Sequence, residues 1–334
     1  MIRYFIRRVI VFLLVVIIGV TIIFFIPRAI PQLNPVEVLI RRIQMSGQYM
    51  DPNSIELMRE SLTKLYGLEG GIFEQYIRFW QGLLAGDLGP SFSSFPTPVI
   101  NLIKVALPWT IGLLATTTIL SWIIGTILGA LAGYSGRNKT WSRIFETLAN
   151  AVRPVPYYIL ALVLLLLFSY IWPIFPTGGG STIGYKISFD LKSILIILKH
   201  AILPAVSLLI IGIGSWFLNM RNLTALILKE EYVTFAQLAK ISDSIIFRKY
   251  VMRNALLPQI TGLALQLGLI FNGTIITELV FSYPGLGTLI YEAINTSDYN
   301  VVMGVSIFSI VAVSLGTLII DILSPLIDPR VRYR

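Results

Sequence analysis

The chain has 334 residues, of which 55% are hydrophobic and 13% charged, and its formal net charge is +9 with one histidine. It has no cysteine, which excludes disulfides, thiol chemistry and cysteine-ligated metals. Apolar runs of about 20 residues recur, the length that spans a hydrocarbon core about 30 Å thick. The composition predicts an all-α polytopic membrane protein rather than a β-barrel. The positive-inside rule attributes the positive charge to cytoplasmic loops rather than to nucleic-acid binding.

The N-terminal segment predicts an uncleaved transmembrane helix at residues 1–27. Three arginines precede the apolar run Val9–Pro27, which is too long for a signal peptide and is not followed by a small-x-small cleavage site. Residues 28–104 are polar and are expected to form a small extracytoplasmic subdomain. Its predicted elements are helices at Asp51–Tyr66 and Glu74–Leu84 and a turn at Gly86–Phe92.

Five further spans are predicted within residues 105–334, giving six in total with both termini in the cytoplasm. Basic residues are in excess in each segment assigned to the inside, as the positive-inside rule requires. Pro154 and Pro156 predict a kink or break in span three. The stretches Phe175–Ser193 and 282–300 are predicted extracytoplasmic loops. The predicted spans are Pro108–Tyr134, Phe145–Ile174, Ile194–Leu218, Leu257–Phe281 and Val301–Leu323.

A long polar segment, Glu230–Pro258, separates spans four and five. Glu231–Lys240 predicts a short helix with Phe235, Leu238 and Ala239 on one stripe. The Ser-Asp-Ser sequence that follows offers N-caps for a second helix that enters span five. Periodicity alone leaves a solvated loop, with some helix on the lipid headgroups, as the alternative.

The residue order of this segment resembles the cytoplasmic coupling motif of binding-protein-dependent ABC importer permeases, in particular the oligopeptide, dipeptide and nickel permease family. The matching positions are Glu231–Tyr232–Val233, Ala239–Lys240–Ile241 and Arg253–Asn254–Ala255–Leu256–Leu257–Pro258. Similar stretches follow in order along nearly the whole chain. They are the basic start with its first helix, GDLGPSF with PTPV, LPWTIGLL, RNLTALILKEEYV, ELVFSYPGLGTLIYEAINTSDYNVVMG and DPRVRY.

Two positions depart from the family pattern. Ile241 stands where the family usually has glycine, and a left-handed turn would cost a β-branched residue about 1–2 kcal/mol. We therefore expect the turn to be displaced onto Ser242, or the angle between the two helices to differ. The family's Asp-Tyr-Pro before span six is Asp298–Tyr299–Asn300 here.

The resemblance implies one of two permease subunits in a prokaryotic plasma or inner membrane. Its partners would be a second, homologous permease, two ATPase subunits that hold ATP and Mg, and an extracytoplasmic solute-binding protein. The chain itself would bind no cofactor or metal and would catalyse no reaction. Within the coupling segment 221–258, the expected ATPase contacts are Glu231, Tyr232, Val233, Phe235, Ala236, Leu238, Ala239, Lys240 and Ile241. The residues expected to carry motion into span five are Arg248, Arg253, Asn254 and Pro258.

Tyr76, Phe79 and Trp80 are candidate contacts for the binding protein, with packing on the membrane surface as the alternative. Glu278 and Asp321 are ionisable groups at the ends of spans, and an interfacial or structural role is preferred over a functional one for both. His200 is likewise interpreted as an interfacial residue.

The cargo implied by the resemblance is an oligosaccharide or an oligopeptide. A thermophile-like composition tilts the choice slightly to oligosaccharide, and the single histidine argues against nickel. No P-loop, HExxH or GxSxG motif occurs. A stand-alone secondary transporter or channel is the alternative, and an intramembrane enzyme the third possibility. The sequence shows no clear inverted repeat, which a secondary transporter predicts. No paired set of catalytic groups stands out within the spans, as an intramembrane enzyme would need.

Overall fold

The computed structural model describes residues 2–29, 34–45, 51–65, 67–135, 140–182, 184–268, 270 and 275–327. In this part of the chain the regular structure is helical. The helices are α1 Ile2–Ala29, α2 Pro35–Met45, α3 Pro52–Leu65, α4 Ile72–Leu84, α5 Val99–Ser135, α6 Thr140–Val152, α7 Tyr157–Leu165, α8 Leu191–Ile227, α9 Glu231–Leu238, α10 Asp243–Ile245, α11 Arg253–Gly268, α12 Ile275–Val280, α13 Leu286–Thr296 and α14 Tyr299–Ile327. Two π-helical stretches, Leu166–Ile171 and Ile246–Met252, extend α7 and join α10 to α11.

Among the described residues, four helices are long and apolar enough to cross a membrane, namely α1, α5, α8 and α14. The α6 helix and the unit Tyr157–Ile171, which is α7 with its π-helical extension, are together long and apolar enough to cross a membrane, but they meet at 98°. The chain breaks at Arg153–Pro156, which confirms the predicted interruption of span three. Span five is described as α11 and α12 only, because residues 269 and 271–274 lie outside the described part. The count of six spans stays a prediction.

The helices α5 and α8 pack closely through glycines spaced four residues apart. A Cβ added at Gly125 would lie 2.6 Å from the Cβ of Trp216, and one added at Gly133 would lie 2.6 Å from the Cβ of Thr224. The contacts advance by eight residues on both helices, so the two helices run parallel. Gly129 lies between them on the same face. Small residues at this spacing let membrane helices approach closely and gain van der Waals contact.

The first and last helices also pack together. Gly19 of α1 contacts Ile310 of α14, where a Cβ would lie 2.9 Å from the Ile310 Cδ1 atom. Arg8 Nη1 lies 2.9 Å from Asp321 Oδ2, and the Tyr4 hydroxyl donates to the Asp321 carbonyl oxygen at 3.0 Å. These contacts give Asp321 a structural partner, in line with the preferred interpretation.

The region 282–300 is not a simple loop, because it contains the helix α13. Glu278 of α12 is fully buried and holds the start of this helix. Its carboxylate accepts hydrogen bonds from the Thr110 hydroxyl and the Gly287 backbone N–H, each at 2.7 Å. The same carboxylate leaves no room for a side chain at Gly285. Glu278 thus links α12, α13 and α5, a structural role.

The described residues of the predicted extracytoplasmic subdomain contain three helices, α2, α3 and α4. The predicted helices at Asp51–Tyr66 and Glu74–Leu84 are present as α3 and α4. Sequence analysis missed α2, whose first residue is a proline. Proline suits the first helical position because its missing N–H has no partner there in any case. The predicted boundary at Lys104 falls inside α5, which begins five residues earlier at Val99.

The turn predicted at Gly86–Phe92 is fastened to the start of α14. Oδ2 of the fully buried Asp298 accepts four hydrogen bonds of 2.6–3.0 Å from this region. The donors are Ser91 Oγ, Phe92 N, Ser93 N and Ser93 Oγ. Asn300 Nδ2 adds a hydrogen bond of 2.9 Å to the Pro90 carbonyl oxygen.

Candidate coupling and translocation sites

The helix α9, which is the predicted coupling helix, has one face buried and one exposed. Val233 and Ala236 are 0% and 5% exposed and pack in an apolar cluster with Ile246 and Val251. On the opposite face, Phe235 and Leu238 are 72% and 75% exposed. The helix is therefore held by its own chain through one face and offers apolar surface through the other.

The predicted contact residues of α9 therefore fall into an exposed group and a buried group. Phe235 and Leu238 lie on the outer face, and Glu231, Tyr232, Ala239 and Lys240 are exposed beside them. Val233 and Ala236 do not reach the surface. Their side chains hold α9 against the chain in this structure, and their role as ATPase contacts stays a prediction.

The turn after α9 is a Schellman motif, in which two backbone bonds close the helix end. The Lys240 N–H donates to the Gln237 carbonyl at 3.0 Å, and the Ile241 N–H donates to the Ala236 carbonyl at 3.2 Å. Lys240 holds the left-handed position, with φ of 54°. The expectation that Ser242 would take the turn is wrong, since its φ is −62°. Ile241 therefore does not adopt the left-handed conformation and carries no backbone strain from it.

The coupling segment is joined to the membrane helices by direct contacts. The Tyr134 hydroxyl at the end of α5 donates to the Asp243 carbonyl at 3.1 Å, and the Tyr134 ring lies 5.0 Å from that of Phe247. Ala255 at the base of α11 is fully buried against Ala130 of α5 and Met220 of α8. The segment from α10 to α11 therefore contacts two of the long helices.

The residues predicted to pass motion into span five lie on this helical path. Arg248 and Arg253 are exposed. Asn254 donates from Nδ2 to the Tyr250 carbonyl at 2.7 Å. Pro258 lies inside α11 and has no N–H to donate, so the helix loses one bond there. Their role in coupling stays a prediction.

The three aromatic residues predicted to contact a binding protein lie on α4, and two of them contact α1, while the role predicted for all three stays a prediction. The Tyr76 and Phe79 rings lie 5.1 Å and 5.2 Å from the Phe24 ring. The Tyr76 hydroxyl also lies 2.7 Å from Thr21 Oγ1. Trp80 contacts Tyr76, with 6.3 Å between the ring centroids. These contacts fix α4 to the end of the first helix.

A cleft of about 330 Å³ opens between α5, α7, α8 and α11. Its lining on α5 and α8 lies mainly in the central third of both helices. All lining residues are uncharged, and many carry hydroxyl or amide groups. The polar members are Thr117, Thr118, Ser121, Tyr157, Ser215, Asn219 and Gln266. Sequence analysis did not name these residues, because they come from four separate helices.

The His200 ring bonds within its own helix, with Nδ1 2.8 Å from the Ile196 carbonyl oxygen. Glu146 of α6 pairs with Arg221 of α8 at 2.9 Å. This ion pair holds the broken span against the start of the coupling segment.

Residues 125–333 match the family described as "Binding-protein-dependent transport system inner membrane component". Residues 1–113 match the family described as the N-terminal part of such a membrane component. The chain belongs to this family of transport components. It is a binding-protein-dependent ABC importer permease and a multi-pass protein of the cell membrane. Members of this family are transport proteins rather than enzymes.

Several curated proteins resemble the chain over most of its length. The oligopeptide transport system permease protein AppB of Bacillus subtilis is 31% identical over 286 residues, which is 85% of this chain and 88% of that protein. The dipeptide transport system permease protein DppB of Lactococcus lactis is 26% identical over 335 residues, covering 99% and 100%. The di/tripeptide transport system permease protein DppB of Pseudomonas aeruginosa is 29% identical, covering 95% of each chain.

Proposed function

We propose that this permease forms one half of the membrane pathway of a peptide importer. The similar proteins carry names that refer to oligopeptides, dipeptides and tripeptides. Peptide is therefore favoured over oligosaccharide, and the preference drawn from composition has no support among them. The uncharged cleft suits a peptide backbone, because hydroxyl and amide groups can exchange hydrogen bonds with N–H and C=O groups.

The proposed topology has six spans, both termini in the cytoplasm and the α2–α4 region outside. In this arrangement α5 and α8 both run from outside to inside. Their parallel packing supports it, because two parallel spans need an intervening span, and the broken α6–α7 pair lies between them in the chain. The coupling helix α9 then lies on the cytoplasmic side.

The proposed complex adds a second permease, two ATPase subunits carrying ATP and Mg, and an extracytoplasmic binding protein. In the proposed cycle, the outer face of α9 sits on one ATPase. Closure of the ATPase pair moves α9 as a rigid element, since Val233 and Ala236 fasten it to the helix that leads into α11. The membrane helices then exchange inward-open and outward-open states, which requires different contacts in the two states.

One observation carries the proposal: α9 exposes Phe235 and Leu238 while its other face is buried in its own chain. We expect Phe235→Glu to abolish substrate-stimulated ATPase activity in the reconstituted complex. An apolar anchor in a subunit interface contributes 2 kcal/mol or more, so association with the ATPase should weaken by about 30-fold or more. The permease itself should still fold, because Phe235 is largely exposed.

Gln237→Glu is the matched control. It makes the same change of charge on the same helix, but Gln237 lies about 200° around the helix from Phe235. The control should keep stimulation and should co-purify with the ATPase. Normal stimulation in the Phe235 variant would show that this face is not the ATPase contact. A permease that transports peptide without any ATPase would overturn the proposed function.

A further inference from the structure

The helix α4 carries an exposed apolar stripe that none of the contacts described above covers. Phe73, Ile77 and Leu84 are 72%, 42% and 82% exposed. Together with Trp80 they recur at intervals of three and four residues, which places all four on one side of the helix. Removal of apolar side chains from water is the main favourable contribution to folding and association. A stripe with three exposed members and a partly buried Trp80 is therefore expected to be covered by another apolar surface.

The position of α4 along the first helix is fixed by side chains that lie outside the stripe. Arg28 donates from Nε to Gln75 Oε1 at 3.1 Å, and Tyr76 lies 2.7 Å from Thr21 Oγ1. The apolar span within α1 ends at Ile26. These contacts place α4 at the depth where α1 leaves the hydrocarbon core. Tyrosine and tryptophan are enriched at that depth because their rings have an apolar body and a polar edge.

The stripe is continuous with apolar surface on α1. Ile22 and Phe25 near the end of α1 are 52% and 41% exposed. The Phe25 ring stacks on the Tyr76 ring with 5.9 Å between centroids. Tyr76 lies beside the stripe on α4, so one apolar surface runs from the lipid-facing side of α1 onto α4.

We propose that α4 lies in the membrane interface, with Phe73, Ile77, Trp80 and Leu84 inserted at the boundary between lipid headgroups and acyl chains. The leaflet is the outer one in the proposed topology. A lipid surface fits better than a protein partner, because the stripe continues the surface that α1 presents to lipid. Amphipathic helices of this kind bury their apolar face about 5–10 Å into the interface. The helix would hold the extracytoplasmic subdomain on the membrane.

The absence of cysteine makes a direct test possible, since one introduced cysteine can be labelled alone. Phe73→Cys, Ile77→Cys and Leu84→Cys would each carry a nitroxide in the complete complex in phospholipid nanodiscs. Arg78→Cys is the control, because Arg78 is exposed and lies about 140° around the helix from Phe73. Collision rates with oxygen, which partitions into lipid, are compared with those of a water-soluble nickel chelate.

The stripe positions should collide several-fold more often with oxygen than with nickel, and Arg78→Cys should show the reverse. Adding the binding protein should leave the stripe unchanged. Preferential collision with nickel at the stripe would place it in water and overturn the proposal. Shielding of the stripe from both reagents would instead indicate a protein interface and would overturn it as well. Peptide transport by each labelled complex checks that it is folded. A failure of the lipid contact would leave the ATPase-coupling proposal untouched.

Discussion

Lys240 and Ile241 have different structural roles in the turn that follows α9. Lys240 takes the left-handed backbone conformation, which an exposed unbranched side chain tolerates better than a β-branched one. Ile241 follows and packs against the cluster around Val233 and Ala236. An apolar contact between the residue after the left-handed position and the last turn often accompanies a Schellman motif. Isoleucine at this position therefore stabilises the turn.

The different roles of Lys240 and Ile241 predict opposite effects of two glycine substitutions. Lys240→Gly relieves roughly 1 kcal/mol of backbone strain, part of which is offset by the greater freedom of the unfolded chain. Ile241→Gly removes a half-buried side chain and should destabilise the turn by about 1–2 kcal/mol. Hydrogen exchange of the α9 amides in the purified complex should become faster in Ile241→Gly and unchanged or slower in Lys240→Gly. The opposite order would show that position 241 carries the strain.

Asn300 shows how a departure from the family pattern is accommodated. It stands where the family usually has proline, and its side chain donates to the Pro90 carbonyl oxygen. A proline could not make this bond because it has no side-chain donor. The neighbouring Asp298 holds the same turn with a fully buried carboxylate. Neither contact was predictable from spacing, since more than 200 residues separate donor and acceptor.

At the scale of helices, the glycine face of α5 decides how closely α8 can approach. The spacing Gly125, Gly129, Gly133 was visible in the sequence as a small-xxx-small pattern, although sequence analysis did not use it. Its partner could not be read from the sequence, because any of the other spans could have packed against that face. The structure shows that the partner is α8, in parallel orientation.

Gly129→Ala should therefore destabilise the permease. The added methyl group would lie 3.0 Å from the Met220 Cβ and would collide with the Phe217 carbonyl, so the two helices must separate. Overpacking of this kind costs about 1–3 kcal/mol. Gly112→Ala is the control on the same helix, because no atom lies within 4 Å of a Cβ there. Thermal unfolding in detergent should show a lower Tm for Gly129→Ala and an unchanged or higher Tm for Gly112→Ala. Equal Tm values would argue against tight α5–α8 packing.

The elements differ in how far the sequence determined them. Pro154 and Pro156 predicted the break in span three, because proline removes a helical hydrogen bond and its effect is local. The helix α13 was missed because Pro284–Gly285 indicated a turn and the following residues seemed to belong to a loop. The start of this helix is held by the buried carboxylate of Glu278, which precedes Pro284 by only a few residues, but the sequence does not show that this carboxylate turns back onto Gly287. The face of α9 that is buried was also beyond reach, since periodicity gives a stripe but not the side that faces the chain.

For the whole molecule, the cleft between α5, α7, α8 and α11 has the most direct bearing on transport. Ser215 and Asn219 are exposed on one side of α8, one helical turn apart. Transfer of such groups into hydrocarbon without a hydrogen bond costs about 4–8 kcal/mol. Ser215 lies inside predicted span four and Asn219 directly follows its last residue, Leu218, so we expect this side of α8 to face water in a pathway rather than lipid. The second permease of the proposed complex would close the pathway from the other side.

Asn219 tests this argument, because Asn219→Leu keeps a similar volume and removes the amide. Loss of one hydrogen bond to the moving peptide amounts to about 0.5–1.5 kcal/mol, so peptide uptake should fall roughly two- to tenfold. Ile210→Leu is the control, since Ile210 is an exposed apolar residue on the same helix. Uptake of labelled peptide into proteoliposomes that contain the complete complex and ATP measures the effect. Basal ATPase activity should stay normal in both variants, because neither residue lies on α9. Unchanged uptake in Asn219→Leu would place the pathway elsewhere, whereas loss of the second permease on purification would identify this side of α8 as a subunit interface.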